Sequence, residues 1–285
     1  MPLFDGPFLG SDALQRGVLT RAQLRGSRWR RLRRDVYCDA RLPLTHAVMA
    51  RAVGLTAPRE AVFGGLTAAS WWSTRGPLAG PDDVVEVILP PHLRWNPGPG
   101  VMVRQALTSD DVVTDGTLRY TDRTRTALDL IRRGVLDDAV VLLDQLVYHR
   151  AAFLDDVRIA AARLPRCRGS ALARRAAALA DGLAQSPPET RLRLLMLRSG
   201  LPVPVAQYEV RHDRRLAAQV DFGFPEQKFA VEYDGEWHGG RAQLRLDRAR
   251  MNRLLAVGWR VLFVTAADMH DPIALVARIA AALAA

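Results

Sequence analysis

The sequence predicts an α+β protein of more than one domain, and three observations carry that reading. Its 285 residues allow one large domain or two to three smaller ones. A small, polar, Pro-containing break, GLAQSPP at residues 182–188, separates two differently patterned parts. The first part is rich in Arg and helical periodicity; the second alternates strand and helix patterns. Within the second, QVDFGFPEQKFAVEYDGEWH at 219–238 contains two period-two runs joined at Pro225-Glu226-Gln227, the pattern of a β-hairpin. The predicted segments are 1–55, a small basic domain; 56–182, mixed α/β and then helical; and 183–285, a mixed sheet with helices on its faces.

Taken in order, Ser11-Asp12 can cap a first helix (ALQRG) that Gly17 ends, and Thr20 can cap a second (RAQLRG). Ser27 can cap a third, RWRRLRRD, which runs into a short strand, VYCD. Helix, helix, basic helix, strand is the order of a winged helix-turn-helix. Seven arginines crowd this stretch: Arg21, Arg25, Arg28, Arg30, Arg31, Arg33 and Arg34. A helix this basic is suited to phosphates or a major groove, so these seven are the candidate nucleic-acid contacts. A solvated basic face on a small structural domain is the plainer reading of the same run.

Residues 45–55 and 61–72 read as helices, the second capped near Thr67. Trp71 and Trp72 could stack on bases, but their Ala-rich apolar setting favours core packing. Two strands, VVEVILP and VMVRQ, flank a Pro/Gly-rich loop. Helices follow at 121–133 and 135–148, and Ala/Arg-rich helices at 151–182. Asp129, Asp138 and Asp144 on these helices read as surface or capping acids. After the break come helix ETRLRLLMLRSG, strand LPVPVAQYEV, the hairpin, a helix at 241–256, strand WRVLFVT and a terminal helix, in the order αβββαβα.

The composition, 49% hydrophobic and 25% charged, is that of a water-exposed globular protein. Net charge is +10, and of 40 basic residues only Lys228 is lysine. An excess of cations favours polyanions. Cys38 and Cys167 lack paired spacing, which excludes a disulfide framework or a Cys-based zinc site and suits a reducing cytoplasm. The sequence shows neither a signal peptide nor a run of eighteen apolar residues, so no membrane association is expected.

The hairpin carries the chemistry. A paired register can set Asp221 beside Glu232 and Asp234, and three converging carboxylates repel unless solvated, paired or bound to a cation. An acidic strand pair on a surface is the other reading. Glu189, in the first turn of its helix, has a favourable dipole interaction as its bland role. The segments SPPETRLRLLMLRSGLPVPVAQ, VDFGFPEQKFAVEYDGEWH, LDRARMNRLLAVGW and RVLFVT, over about residues 186–268, together resemble the PD-(D/E)XK restriction-endonuclease-like fold. They are most similar to its Vsr-like branch, the very-short-patch-repair endonucleases and related endonuclease-like domains. The segment LTRAQLRG…WRRLRRDVY resembles the N-terminal winged-helix domain of AbiEi-type antitoxins and related transcriptional regulators.

These resemblances imply a C-terminal α/β restriction-endonuclease-like domain behind an N-terminal winged helix. They imply Mg²⁺, with Mn²⁺ as a substitute, held by Asp221, Glu232 and Asp234. Asp234 stands where the general pattern has lysine, as in the E-x-D-G form. Glu189 matches an acid that reaches the metal directly or through water. His238 matches a general acid or base, Arg250 a contact to the scissile phosphate, and Asp247 a residue orienting Arg250 or His238. Physically, hard carboxylates hold Mg²⁺, a histidine moves protons near neutrality, and arginine stabilises phosphate charge. The expected function is a Mg²⁺-dependent DNA endonuclease or nickase. The alternative is a DNA-binding regulator or antitoxin-like protein with a weak or inactive nuclease-like domain. The partners expected are DNA, with RNA still open, and further a second copy of the chain or a toxin or operon partner.

Overall fold

A computed structural model describes residues 5–106, 111–212, 215–235 and 241–285, with side chains in the last segment from Arg248 onward. The chain groups into two compact units. One comprises Met1–Arg133 with His149–Ala177, the other Gly134–Tyr148 with Ala178–Ala285. The α+β class and its several sheets are as predicted.

The first unit opens with β1 (Phe8–Leu9), α1 (Gly10–Gln15), α2 (Arg21–Leu24), β2 (Trp29–Arg33) and β3 (Val36–Asp39). Thr20 and Gln23 close a reciprocal capping box on α2. Phe8, Ala13, Leu19, Leu24 and Trp29 form a small core, and the strands pair in the order β1-β3-β2. The third helix expected over Arg28–Asp35 is instead a strand and a turn, with Asp35 at φ 61°. An eight-residue helix is marginal in isolation. Pairing with β3, whose Val36 and Cys38 are fully buried, and edge-to-face packing of Trp29 on Phe8 at 5.1 Å settle the strand.

Next come α3 (His46–Gly54), β4 (Val62–Phe63), α4 (Gly65–Trp72), β5 (Val85–Leu89), β6 (Val101–Gln105), β7 (Val112–Asp115), β8 (Leu118–Thr121) and α5 (Arg123–Ile131). The helix expected from residue 61 begins only at Gly65, because Val62 and Phe63 pair with β5 and Phe63 with β8. Gly65 lies at φ 54°, and a Cβ there would meet the Glu86 carboxylate at 2.5 Å, so glycine is required. The sheet runs β6-β5-β4-β8-β7. Trp71 stacks on buried Tyr120 at 4.6 Å, and the Trp72 indole donates to the Thr121 carbonyl, so both tryptophans pack structurally. Asp129, expected at the surface, is buried between Arg104 and Arg125.

Helix α6 (Leu136–Tyr148) belongs to the second unit, while α7 (Leu154–Arg163) and most of α8 (Ser170–Leu179) belong to the first. The second unit continues with α9 (Pro187–Arg198), β9 (Val205–His212), β10 (Arg215–Phe224), β11 (Phe229–Tyr233), α10 (Arg241–Ala256), β12 (Arg260–Val264) and α11 (Pro272–Ala284). Asp144 of α6 is fully buried, not a surface or capping acid: it accepts from Thr190 at 2.9 Å and pairs with Arg193 at 2.8 Å, both on α9. It also accepts the backbone N–H groups of Asp181 and Gly182. Exposed Asp138 pairs with Arg191, as a surface acid does.

The sheet of this unit runs β12-β11-β10-β9, with β9, β10 and β11 antiparallel and β12 parallel to β11 through the α10 crossover. The β10–β11 hairpin turns through a short 3-10 helix at Pro225–Gln227, with Lys228 at φ 46°. Phe229 and Val231 pack with Leu192, Met196, Leu275 and Ile279, and Tyr233 lies at the edge of the same cluster. Ala230 packs instead with Leu254 and Trp259. Strand β11 therefore alternates as its sequence says. Strand β10 does not: Phe222 and Phe224 join the first cluster, whereas Val220 joins the second. Ala206 and Tyr208 of β9 divide in the same way. Between them Gln207 has φ 49°, a left-handed conformation, at the point where both strands change faces. Among the described residues no helix is long and apolar enough to cross a membrane.

Candidate functional site

The break in alternation marks the site. Asp221 sits on β10 at the point where the strand changes faces. One oxygen accepts the Tyr233 backbone N–H at 2.9 Å, and the other accepts the Gln207 amide at 3.4 Å. The same amide donates to Glu189 at 3.3 Å. Gln207 therefore bridges an acid from the start of α9 and an acid from the middle of the sheet. Its own amide oxygen accepts from Gln185 at 3.0 Å.

Glu189 is placed by the N-terminus of α9. Ser186 caps the helix, and Pro187 and Pro188 preset its first turn. The Glu189 carboxylate accepts from the Ser186 hydroxyl and the Gln185 backbone N–H, each at 2.8 Å. This is the capping role its position predicts, with one oxygen shared toward Asp221. Burial raises the pKa of Glu189, and the negative charge of Asp221 adds to the rise; bonds from Gln185 and Ser186 oppose it. Burial likewise raises Asp221, against the Tyr233 and Gln207 bonds and the positive charge of Arg250. Two desolvated carboxylates held around one amide form a locus of excess negative potential, which a cation or a proton relieves.

Glu232 follows the expected register, and the hairpin pairing continued from Phe222–Val231 sets it opposite Asp221. Its carboxylate is buried, with 4% exposure, and Arg250 of α10 takes it in a two-pronged ion pair, one prong at 2.8 Å. Arg250 also donates to the Gln219 carbonyl at 2.9 Å. Asp234 is exposed beyond the end of β11, and its backbone N–H donates to the Val264 carbonyl. Among the described residues no three acidic, imidazole or thiol side chains stand together as a metal site. The predicted trio of Asp221, Glu232 and Asp234 is thus not gathered as three: Arg250 claims Glu232, and the strand carries Asp234 out to solvent. The close pair is Glu189 with Asp221. His238 and the side chain of Asp247 lie outside the described residues. Lys228 is at the hairpin turn, at the opposite end of β11.

Of the arginines predicted to meet nucleic acid, Arg21, Arg25, Arg28, Arg30, Arg31 and Arg34 are exposed. Arg28 lies over the Trp29 ring at 5.2 Å, and Arg30 donates to the Ala40 carbonyl. Arg33 is half-buried, and its guanidinium donates to the Pro97 and Pro99 carbonyls of the Pro/Gly loop. These side chains stand on the edge strand β2 of the three-stranded sheet, on the turn after it and on its approach, not on a third helix. Gln207 is the residue that sequence reading left without a role. Its signal was a polar residue three positions after Pro204 in the strand pattern LPVPVAQYEV, but parity alone assigned it no partner.

No family model matches the chain. Two relatives, named Uncharacterized protein MT2308 and Uncharacterized protein Rv2248, come from two strains of Mycobacterium tuberculosis. Each is 32% identical over 195 residues, which cover 68% of this chain and 72% of the relative. Among solved structures, the crystal structure of RV2827C protein from Mycobacterium tuberculosis is similar at 13% identity and a TM-score of 0.41, covering 73% of this chain and 84% of that one.

Proposed function

The chain belongs to one family with these two mycobacterial proteins, and we propose that its second unit is a divalent-cation-dependent phosphodiesterase, a DNA endonuclease or nickase of the PD-(D/E)XK, Vsr-like kind. The observation that carries this reading is the Glu189–Gln207–Asp221 bridge, buried at Glu189 and half-buried at Gln207 and Asp221, beside Arg250. The donors fit Mg²⁺ or Mn²⁺: two hard carboxylates suffice for an ion that keeps several waters. Such an ion supplies an activated water and offsets charge on the phosphate and leaving oxygen. Glu189 and Asp221 hold it; Gln207 positions both carboxylates. Arg250 offers a fork of donors to the phosphate. His238, in the sequence reading, moves the proton. The order α9-β9-β10-β11-α10-β12-α11 supports the restriction-endonuclease-like reading of this unit.

The N-terminal strands and helices act, in this proposal, as a reduced winged-helix module that engages DNA through the basic edge strand. The pairing of Glu232 with Arg250, and the acid in place of lysine at Asp234, favour a second reading: a DNA-binding regulator whose nuclease-like unit is weak. Labelled duplex DNA, single-stranded DNA and RNA, each incubated with Mg²⁺ and with chelator, separate these readings. The nuclease reading expects chelator-sensitive cleavage of DNA that Glu189→Ala removes in folded protein. A mobility shift without cleavage favours the regulator, and cleavage of RNA alone changes the substrate.

A further inference from the structure

Arg123 organises a cluster of rings at the surface of the first unit. It is the first residue of α5, where the helix dipole disfavours a positive charge. Its guanidinium lies instead between two rings, 4.9 Å from the centre of Trp72 and 5.4 Å from that of Phe153. It also donates to the Trp72 carbonyl at 3.2 Å and to the Arg150 carbonyl. The Ser73 hydroxyl and the Thr74 N–H both donate to the His149 carbonyl, at 3.3 and 3.1 Å. The end of α4, the start of α5 and the turn before α7 are thus fixed around one side chain.

The two rings differ in what they leave open. Trp72 is half-buried, and its indole N–H is committed to the Thr121 carbonyl. Phe153 is 56% exposed although one face rests on the guanidinium. A ring already held in place costs less to order on binding. Neither Arg123 nor Arg150 is in an ion pair among the described residues, and Arg150 is exposed. The acids next to them in sequence serve helix starts: Asp122 caps α5, and Asp155 and Asp156 stand in the first turn of α7. An exposed, pre-ordered ring with unneutralised arginines beside it has the chemistry that meets an unpaired base and its phosphate.

We propose that Phe153 is a stacking platform for an unpaired base of single-stranded nucleic acid, DNA or RNA, and that Arg123 positions it. The platform shares no residue with the Glu189–Asp221 locus. It rests on the proposed function only in requiring that the chain bind nucleic acid.

The test is fluorescence anisotropy of end-labelled oligo-dT, oligo-U and a DNA hairpin titrated with the full chain, in chelator so that no strand is cut. Wild type is expected to bind a single strand, and the preference between oligo-dT and oligo-U separates DNA from RNA. Phe153→Leu keeps an apolar side chain and removes the aromatic face. It should bind the preferred single strand at least about fivefold more weakly, the low end for one stacked base. Its affinity for the hairpin should not change. Phe153→Trp should keep the wild-type affinity for the single strand. The platform is overturned if Phe153→Leu binds the single strand as tightly as wild type, or if its hairpin affinity falls by the same factor. It is also overturned if Phe153→Trp is as weak as Phe153→Leu. A wild-type chain that binds the hairpin and no single strand overturns the platform and leaves the proposed function standing. A chain that binds none of the three overturns both.

Discussion

Gln207 holds a backbone conformation that L side chains seldom adopt, at φ 49°, and its amide joins Glu189 to Asp221. Strain of this kind costs about 1–3 kcal/mol and persists where surrounding structure enforces it. Gln207→Gly removes the bridge while tolerating the conformation. Relief of strain offsets the entropy of glycine, so urea unfolding should stay within about 1 kcal/mol of the parent. Metal-dependent cleavage should nonetheless fall by tenfold or more, roughly the loss of one positioned ligand shell contact. Asp144 is a different case, because it is fully buried against Arg193 and Thr190. Asp144→Ala removes a buried partner of Arg193, which keeps Asp181 at 3.1 Å, and leaves Thr190 and two backbone N–H groups without their acceptor, so it should cost about 3 kcal/mol in denaturant unfolding. A sequence signal for Asp144 existed: Val140, Leu143 and Val147 put it on the apolar stripe of its helix. His46 is buried between the Gly80 carbonyl and the Thr67 hydroxyl, and burial lowers its pKa. The unfolded chain then takes a proton near pH 6.5 that the folded chain refuses, so stability falls as pH drops below that value. Unfolding at pH 7.5 and 5.5 should show a smaller pH-dependent loss in His46→Gln than in wild type. No parity or motif argument marks Gln207 or His46, since a positive φ at glutamine and a buried imidazole bonded to a distant carbonyl are tertiary properties.

At the scale of elements, the basic segment shows how the same charges can serve a different shape. Trp29 and Leu32 are spaced as on a helix, which is why RWRRLRR reads helically, yet pairing with β3 makes it a strand. Arg28, Arg30 and Arg31 remain exposed, so the proposed phosphate contact moves from a groove-entering helix to the edge strand β2 and its approach. Replacing these three with Gln should weaken binding to all duplexes alike. The slope of log affinity against log salt should drop by about one per lost phosphate contact. An unchanged slope would remove this strand from the interface. The β10–β11 hairpin was legible because Phe229, Val231 and Tyr233 alternate strictly around a proline-marked turn. Strands β7 and β8 were not, being only four residues each. Strand β4 is only two residues long and merges in sequence with the helix that follows it.

At the scale of the molecule, the αβββαβα order of the second unit could be read from period changes and Pro/Gly punctuation. The membership of α6 could not, because a buried ion pair with α9 assigns it to that unit while the chain leaves for the first unit and returns. A site assembled from the start of a helix, the middle of a sheet and a crossover helix is likewise visible as a set of residue types before it is visible as a geometry. Sequence supplied Glu189, Asp221, Glu232 and Arg250; folding joined the first two through Gln207 and the last two to each other. A net charge of +10 favours polyanions in general, as the proposed function requires. The most direct measurement is conversion of supercoiled plasmid by the purified full chain across a Mg²⁺ titration, beside Asp221→Ala of matched circular dichroism. Nicked or linear product that rises with Mg²⁺ in the wild-type chain and is absent from Asp221→Ala is the outcome expected. Product formed equally by both proteins, or plasmid bound and left supercoiled at every Mg²⁺ concentration, would contradict a phosphodiesterase centre at Asp221.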